Sequence, residues 1–210
     1  RVRLEKRIPS GAGMGGGSTD AAALLLAVRQ LYGLPVSDQE LAAIGAGLGA
    51  DVPACLIPQA TLGHGIGELL TPIPSRMKTP VLVLRPPFSL PTAGMYARID
   101  ARGLAGQRFC AGAAAGAMAT GNLPLLSSSL YNVFEEAVPC QAEILHMKEL
   151  LRAQGAAGAL MTGSGSCVYG LFARKELRDR AAARLSGRYR VWTCEFVNLA
   201  PEYPAARGER

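Results

Sequence analysis

The chain has 210 residues, 49% of them hydrophobic, and its 22 basic against 16 acidic side chains give a formal net charge of +6. That is enough apolar material for one large or two small packed domains, yet no run approaches the roughly 18 uninterrupted apolar residues of a membrane helix. The five cysteines, Cys55, Cys110, Cys140, Cys167 and Cys194, are odd in number and lack Cys-x-x-Cys spacing. They argue against a disulfide framework or a zinc site and read as small core residues of a cytoplasmic protein.

Taken in chain order, residues 1–8 are expected to form a strand. The run Pro9-Ser10-Gly11-Ala12-Gly13-Met14-Gly15-Gly16-Gly17-Ser18-Thr19-Asp20 follows and leads into Ala21-Ala22-Ala23-Leu24-Leu25-Leu26-Ala27-Val28. The apolar stretch predicts a helix over 18–32, capped by Ser18, Thr19 or Asp20 and stopped at Gly33. Glycines let the backbone approach a ligand closely, and a helix start aims unpaired amides and the positive end of its dipole into the space the loop encloses. Loop and helix together predict a phosphate cradle. A Walker A loop is excluded because no lysine precedes Ser18. Gly11-Ala12-Gly13-Met14-Gly15-Gly16 matches Gly-x-Gly-x-x-Gly, but the acidic residue at the needed distance, Glu40, falls in a helix start rather than at a strand end. The bland alternative, a flexible linker, sits poorly with a capped helix welded to the loop.

Ser37-Asp38-Gln39-Glu40 is a capping box opening a helix that carries Leu41, Ile44 and Leu48 to a stop at Gly49. Cys55–Leu62 and residues 68–73 read as a hairpin around His64-Gly65. Pro72, Pro74 and Ser75 mark a domain boundary, giving expected domains over 1–75 and 76–205 and a tail over 206–210. Beyond the boundary come a strand at Val81-Leu82-Val83-Leu84, a helix near Met95, an alanine- and glycine-biased helix or loop over 111–121, and helices at Ser128–Ala137 and 141–154. A strand from Ala159, a strand over 168–172, a helix from 175 and a strand over 191–197 complete an alternation that predicts a two-layer α+β domain. The basic cluster Arg174, Lys175, Arg178, Arg180, Arg184, Arg188 and Arg190 is interrupted by Glu176 and Asp179. It reads as a solvated helix rather than a nucleic-acid stripe, so no nucleic-acid or membrane partner is expected.

Several single residues invite a role. By position alone Asp51, two before Pro53, is a turn residue. The turn between the strands ending near Met161 and starting at Val168 needs its glycines for structural reasons anyway. Ser18 and Thr19 could serve a cap or a Mg²⁺ ion. His64 and His146 have no partner at ligand or triad spacing.

The segment Lys6–Ala22 closely resembles the ATP-phosphate loop of the GHMP kinases. Three further segments resemble the same family in the same order: Leu48-Gly49-Ala50-Asp51-Val52-Pro53, then Gly65-Ile66-Gly67-Glu68, then Met161-Thr162-Gly163-Ser164-Gly165-Ser166-Cys167-Val168. The resemblance implies the α+β, two-domain GHMP kinase fold: part of a ribosomal-protein-S5-like N-terminal domain and a ferredoxin-like C-terminal domain. It implies ATP as co-substrate with Mg²⁺, held by Pro9 to Thr19, with Ser18 the candidate metal ligand. Asp51 would be the catalytic base. Thr92, Tyr96, Gly163, Ser164 and Gly165 would hold the acceptor, with Tyr96 stacking on a cytosine and the Gly163 loop reaching phosphates beside the first glycine loop. Asn132 and Glu135 match a family helix motif read as structural. The ending Gly15-Gly16-Gly17-Ser18-Thr19-Asp20-Ala21-Ala22 implies the branch whose acceptor is 4-diphosphocytidyl-2-C-methyl-D-erythritol, phosphorylated at its 2-hydroxyl in non-mevalonate isoprenoid synthesis. A homoserine or mevalonate type of kinase and a catalytically silent binding module stand as alternatives, and a monomer or homodimer is expected. The family's Pro-Ala-Lys-Ile-Asn-Leu strand, whose lysine lies near the transferring phosphate, is not among these residues. The expectation is therefore that the 210 residues alone are an inactive fragment.

Overall fold

Residues 1–57, 59–65, 67, 69–104 and 111–197 are described by the computed structural model. They divide into two units, one of Gly15–Ser75 with Val197, the other of Arg1–Met14 with Arg76–Phe196.

In the Gly15–Ser75 unit, helix α1 (Gly16–Leu31) begins inside the glycine run, two residues ahead of the expected start, with Gly15 as N-cap at φ +64. It ends as the sequence predicts. Gly33 takes φ +58, its N–H donates to Gln30 O and the Leu34 N–H to Arg29 O, the paired bonds that close a Schellman stop. Helix α2 (Asp38–Leu48) opens on the predicted capping box: Ser37 Oγ accepts from the Glu40 N–H at 3.2 Å and Glu40 Oε2 accepts from the Ser37 N–H at 2.9 Å. Donation from the Ser37 backbone, then from its hydroxyl, holds the Glu40 carboxyl below its ordinary range. Arg29 reaches across to Asp38 at 2.5 Å. The expected apolar face of α2 is corrected, because Ile44 and Leu48 are exposed while Leu41 and Gly45 are buried. Helix α3 (Val52–Leu56) lies so close that a Cβ on Gly45 would stand 3.0 Å from Val52 Cγ1, which turns the packed face one step round from Ile44.

The strand expected from Cys55 is also corrected, since Cys55 lies in α3. Pro53 in the first turn has the backbone angle a helix start needs, and the chain becomes extended only at Ile57. The hairpin is β1 (Thr61–His64) with β2 (Leu69–Pro72), in register Thr61↔Pro72 and His64↔Leu69. Ile66 and Glu68 of the expected Gly65–Glu68 motif lie outside the described residues.

The other unit carries strands β3 (Pro80–Arg85), β4 (Gly158–Met161), β5 (Val168–Leu171) and β6 (Arg190–Glu195). Its helices are α4 (Thr92–Ala101), α5 (Gly112–Thr120), α6 (Leu123–Ser128), α7 (Phe134–Ala137), α8 (Gln141–Ala153) and α9 (Lys175–Leu185). The sheet runs β4-β5-β3-β6, every neighbour antiparallel. The first strand thus sits between the third and fourth, with helices in the first and third connections, which is the ferredoxin-like arrangement. Alternation along β3 divides its side chains between two faces. Leu82 and Leu84 join Ile144, Met147 and Leu151 of α8, Met161 and Phe172 in the main core, all at most 1% exposed. Val83 faces the other way and packs with Ala12, Cys167 and Trp192.

Four expectations change in this unit. Residues 1–8 make no strand, because a strand exists only as a pair and none of the described strands lies beside them; Val2 and Leu4 are exposed. The helix expected over Ser128–Ala137 is two helices, α6 and α7. Asn122 caps α6 early by accepting from the Leu125 N–H, and Asn132 turns the chain by accepting from the Phe134 N–H. Arg178 is buried rather than solvated: its guanidinium donates to Cys194 O at 2.9 Å and pairs with Asp179, while the other members of that cluster are exposed as expected. Of the described cysteines only Cys167 is fully buried, Cys55 and Cys140 are half-buried and Cys194 is exposed; Cys110 and the 206–210 tail lie outside the described residues. Among those residues no helix is long and apolar enough to cross a membrane.

Candidate active-site loops

Two glycine-bearing loops meet within the Arg1–Met14 and Arg76–Phe196 unit. After β4 the chain turns back to β5 through Thr162–Cys167, closed by Thr162 N–H to Cys167 O at 2.9 Å and Gly165 N–H to Thr162 O at 3.0 Å. Gly163 and Gly165 take φ +54 and +90, backbone that other residues rarely adopt. Ala12 and Gly13 run alongside: Cys167 N–H donates to Ala12 O at 3.3 Å, and Thr162 Oγ1 donates to Gly13 O at 2.8 Å. A Cβ on Gly13 would stand 2.1 Å from Thr162 O, so only glycine lets the two backbones approach this far. Thr92 Oγ1 and Ser164 Oγ share a hydrogen bond at 3.0 Å, and Ser166 Oγ donates to Phe88 O at 2.7 Å. Thr92, Ser164, Gly163, Gly165, Ala12 and Gly13 are thereby brought together. Pro9, Ser10 and Gly11 precede them, Ser10 and Gly11 exposed and Gly11 at φ +65. Tyr96 follows Thr92 by one turn of α4. The residue is 57% exposed and its ring rests edge-on against Phe134, centroids 5.1 Å apart.

Behind the Thr162 loop lies a polar support. Asn132 Nδ2 donates to Met161 O and to Gly163 O, both at 2.8 Å, and Glu135 Oε1 accepts from the Met161 N–H at 2.7 Å. Glu135 Oε2 is paired with Lys148 of α8. The sequence reading marked Asn132 and Glu135 only as structural and missed Lys148. Its signal was present: Lys148 stands among Ile144, Met147 and Leu151 at helical spacing, a charge in an apolar stripe, and it is 9% exposed. Burial pushes the Cys167 thiol up to about 11, partly offset by Arg85, so this cysteine is a packing residue rather than a nucleophile.

In the Gly15–Ser75 unit the second half of the glycine run, Gly15, Gly16 and Gly17, forms the start of α1. The N-cap is Gly15, which has no side chain to offer, so Ser18, Thr19 and Asp20 lie inside the helix rather than at the cap position expected of them. The first helical bond is Thr19 N–H to Gly15 O, and Thr19 Oγ1 donates to that same carbonyl at 3.0 Å. The amides of Gly16, Gly17 and Ser18 therefore lack helical acceptors, and no acidic residue occupies the first turn. Such an end attracts oxyanions. Helix α3 packs on α1, with Cys55 Sγ 3.7 Å from Thr19 Oγ1. At the head of α3 stands Asp51, exposed, whose carboxylate makes no capping bond. A simple cap would have used it.

Ser18, half-buried in the first turn of α1, offers one neutral oxygen to a cation. Among the described residues no three His, Cys, Asp or Glu side chains gather at metal-binding range. His64 is exposed on β1 and His146 half-buried on α8. A lone hydroxyl is not a preformed protein cage for a hard cation.

The profile of the GHMP kinases N terminal domain matches residues 1–59, and that of the GHMP kinases C terminal domain matches residues 114–191. A 4-diphosphocytidyl-2-C-methyl-D-erythritol kinase from Caldicellulosiruptor saccharolyticus is 37% identical over 88% of the chain and 64% of its own length. The protein of the same name from Symbiobacterium thermophilum is 38% identical over 88% and 66%. A crystal structure of 4-(cytidine 5'-diphospho)-2C-methyl-D-erythritol kinase superimposes with a TM-score of 0.77 at 36% identity, covering 91% of this chain and 69% of that one. The chain thus spans a little under two thirds of the length of these two curated relatives.

Proposed function

The chain belongs to the GHMP kinases, and we propose that it carries the body of a kinase that transfers the γ-phosphoryl group of ATP to the 2-hydroxyl of 4-diphosphocytidyl-2-C-methyl-D-erythritol, a step of non-mevalonate isoprenoid synthesis. The observation that carries this reading is the identity of 36–38%, held over about nine tenths of the chain, to proteins named for that acceptor. In this reading residues 1–75 belong to the N-terminal ATP-binding domain and 76–205 to the C-terminal domain.

Pro9 to Thr19 would bind the triphosphate. The amides at the start of α1, which lack helical acceptors, are suited to phosphate oxygens, and glycine at 11, 13 and 15, all at positive φ, lets the backbone reach them without a side chain in the way. Asp51 would align the attacking hydroxyl and accept its proton, since a carboxylate within about 3 Å of an alcohol does both. Its lack of a capping bond leaves it suited to that work. Gly163, Ser164 and Gly165, with Thr92 bonded to Ser164, would meet the acceptor's phosphates, and the exposed ring of Tyr96 would stack on the cytosine. Ser18 is the candidate ligand of a Mg²⁺ ion carried in on ATP, whose charge would neutralise the phosphates as transfer proceeds. A cytoplasmic monomer or homodimer suits these small soluble substrates.

The test compares kcat/KM of the full-length protein for three acceptors: the diphosphocytidyl erythritol, homoserine and mevalonate. The proposal requires the first to exceed the others by orders of magnitude. Equal or greater turnover of homoserine or mevalonate overturns the acceptor, and no turnover of any leaves a binding module.

A further inference from the structure

Among the described strands β4 lies at the edge of its sheet, so the outer N–H and C=O groups of Met161 meet none of those strands. Two side chains around the start of α7 take them instead: Glu135, within the helix, accepts from the N–H, and Asn132, just before it, donates both to the C=O and, two residues on, to the carbonyl of Gly163. The same Asn132 closes its own turn through Oδ1 to the Phe134 N–H. Glu135 is in turn anchored to α8 by the buried Lys148. Every polar atom of the Asn132 amide is committed, and its two donated bonds bracket Thr162, the residue whose hydroxyl holds Gly13 O. Polar contacts therefore run from Lys148 through Glu135, Met161 and Asn132 to the backbone on either side of Thr162, whose own hydroxyl reaches the first glycine loop at Gly13 O.

We propose that Asn132 and Glu135 are positioning residues, which fix the Thr162–Ser166 loop against the sheet edge and, through Thr162, set the place of Gly13. The inference rests on the reading of these loops as substrate-binding for the kinase. Neither residue touches a reacting atom; each acts by keeping the loop amides aimed. Misplacement by about 1 Å is enough to cost turnover severely. The arrangement also separates two effects: Asn132 acts on the loop assigned to the acceptor, and Thr162 carries the effect to the loop assigned to ATP.

Four variants of the full-length protein test this. Asn132→Ala removes both donated bonds. Asn132→Asp keeps the acceptor for the Phe134 N–H but cannot donate. Thr162→Val removes the bond to Gly13. Tyr189→Phe, which deletes the hydroxyl bonded to Glu143 elsewhere in the same unit, controls for general softening. Hydrogen exchange at the Thr162 and Gly165 amides, both bonded inside the loop, is expected to quicken about tenfold or more in the two Asn132 variants and stay at the wild-type rate in Tyr189→Phe. In kinetics, kcat/KM for the cytidine acceptor falls about tenfold in Asn132→Ala, and KM for ATP rises in Thr162→Val but not in Tyr189→Phe. Wild-type exchange in the Asn132 variants, or equal quickening in Tyr189→Phe, overturns the positioning role. Should Asn132→Ala fail to fold, Asn132→Asp decides by the same readings. A wild-type protein inactive on this acceptor refutes the proposed function, while the exchange measurement still decides whether Asn132 holds the loop.

Discussion

Gly13→Ala places a methyl group 2.1 Å from the carbonyl oxygen of Thr162 and 3.0 Å from the backbone of Gly165. Backbone, unlike a flexible side-chain tip, cannot step aside without moving the turn it belongs to. The substitution carries two costs: about 1–2 kcal/mol for an L-residue held at positive φ, and about 1–3 kcal/mol for forcing packed groups apart. Gly11 separates them, because it sits at φ +65 against +70 for Gly13 but has nothing within 4 Å of a Cβ. Gly11→Ala therefore carries only the first cost, and the loss of unfolded-state freedom on replacing glycine is common to both and cancels. The prediction is that Gly13→Ala is less stable than Gly11→Ala by about 1–3 kcal/mol. Urea unfolding followed by the emission of Trp192, which packs with Ala12, Val83 and Cys167, reads the difference at the right place. A lowered urea midpoint with unchanged slope in Gly13→Ala relative to Gly11→Ala is expected. Equal midpoints for the two variants would refute the claim that the glycine loop is pressed against Thr162.

Asp51→Asn keeps shape but removes the charge, and kcat is expected to fall on the order of 10²-fold or more while ATP binding holds; unchanged kcat in steady-state assays removes Asp51 from the chemistry. Tyr96→Ala is expected to weaken the cytidine acceptor by roughly 1–3 kcal/mol and spare ATP, whereas titrations showing both ligands weakened alike make the ring a packing residue. Burial and the bond to Glu143 push Tyr189 from an ordinary 10.0 up to about 12. A raised folded pKa means that its contribution is present below pH 10 and lost as pH climbs toward 12. The stability advantage of wild type over Tyr189→Phe should therefore shrink across that window in urea titrations, and an advantage flat from pH 9 to 12 contradicts the assignment. Cys167, with its thiol pushed up to about 11 by burial, should resist alkylation at pH 8 in the native protein and react in urea; native labelling found by peptide mapping would count against its burial.

The elements that sequence predicts well here are those written in neighbouring residues. The Ser37 box, the Gly33 stop and the Thr61–Pro72 hairpin each depend on contacts a few positions apart, and each is found. What was illegible depends on distant partners. The break between α6 and α7 is held by Asn132, whose amide is bonded to Met161 and Gly163. Arg178 reads as one more surface arginine until β6 supplies the Cys194 carbonyl. A strand at residues 1–8 needs a neighbour that no local pattern can guarantee. Motif resemblance located both glycine loops, yet the 2.8 Å bond from Thr162 to Gly13 is a relation between residues 149 positions apart. Lys148 interrupts an apolar stripe that the sequence reading passed over, and its pairing with Glu135 supplies the reason.

The most direct measurement is ³¹P NMR of the full-length protein incubated with ATP, Mg²⁺ and 4-diphosphocytidyl-2-C-methyl-D-erythritol. The account predicts a new phosphomonoester resonance free of vicinal proton splitting, as an ester of the fully substituted 2-carbon must be, growing in step with ADP while the acceptor's diphosphate signals remain. ATP left intact with this acceptor, or consumed without that resonance, would contradict it.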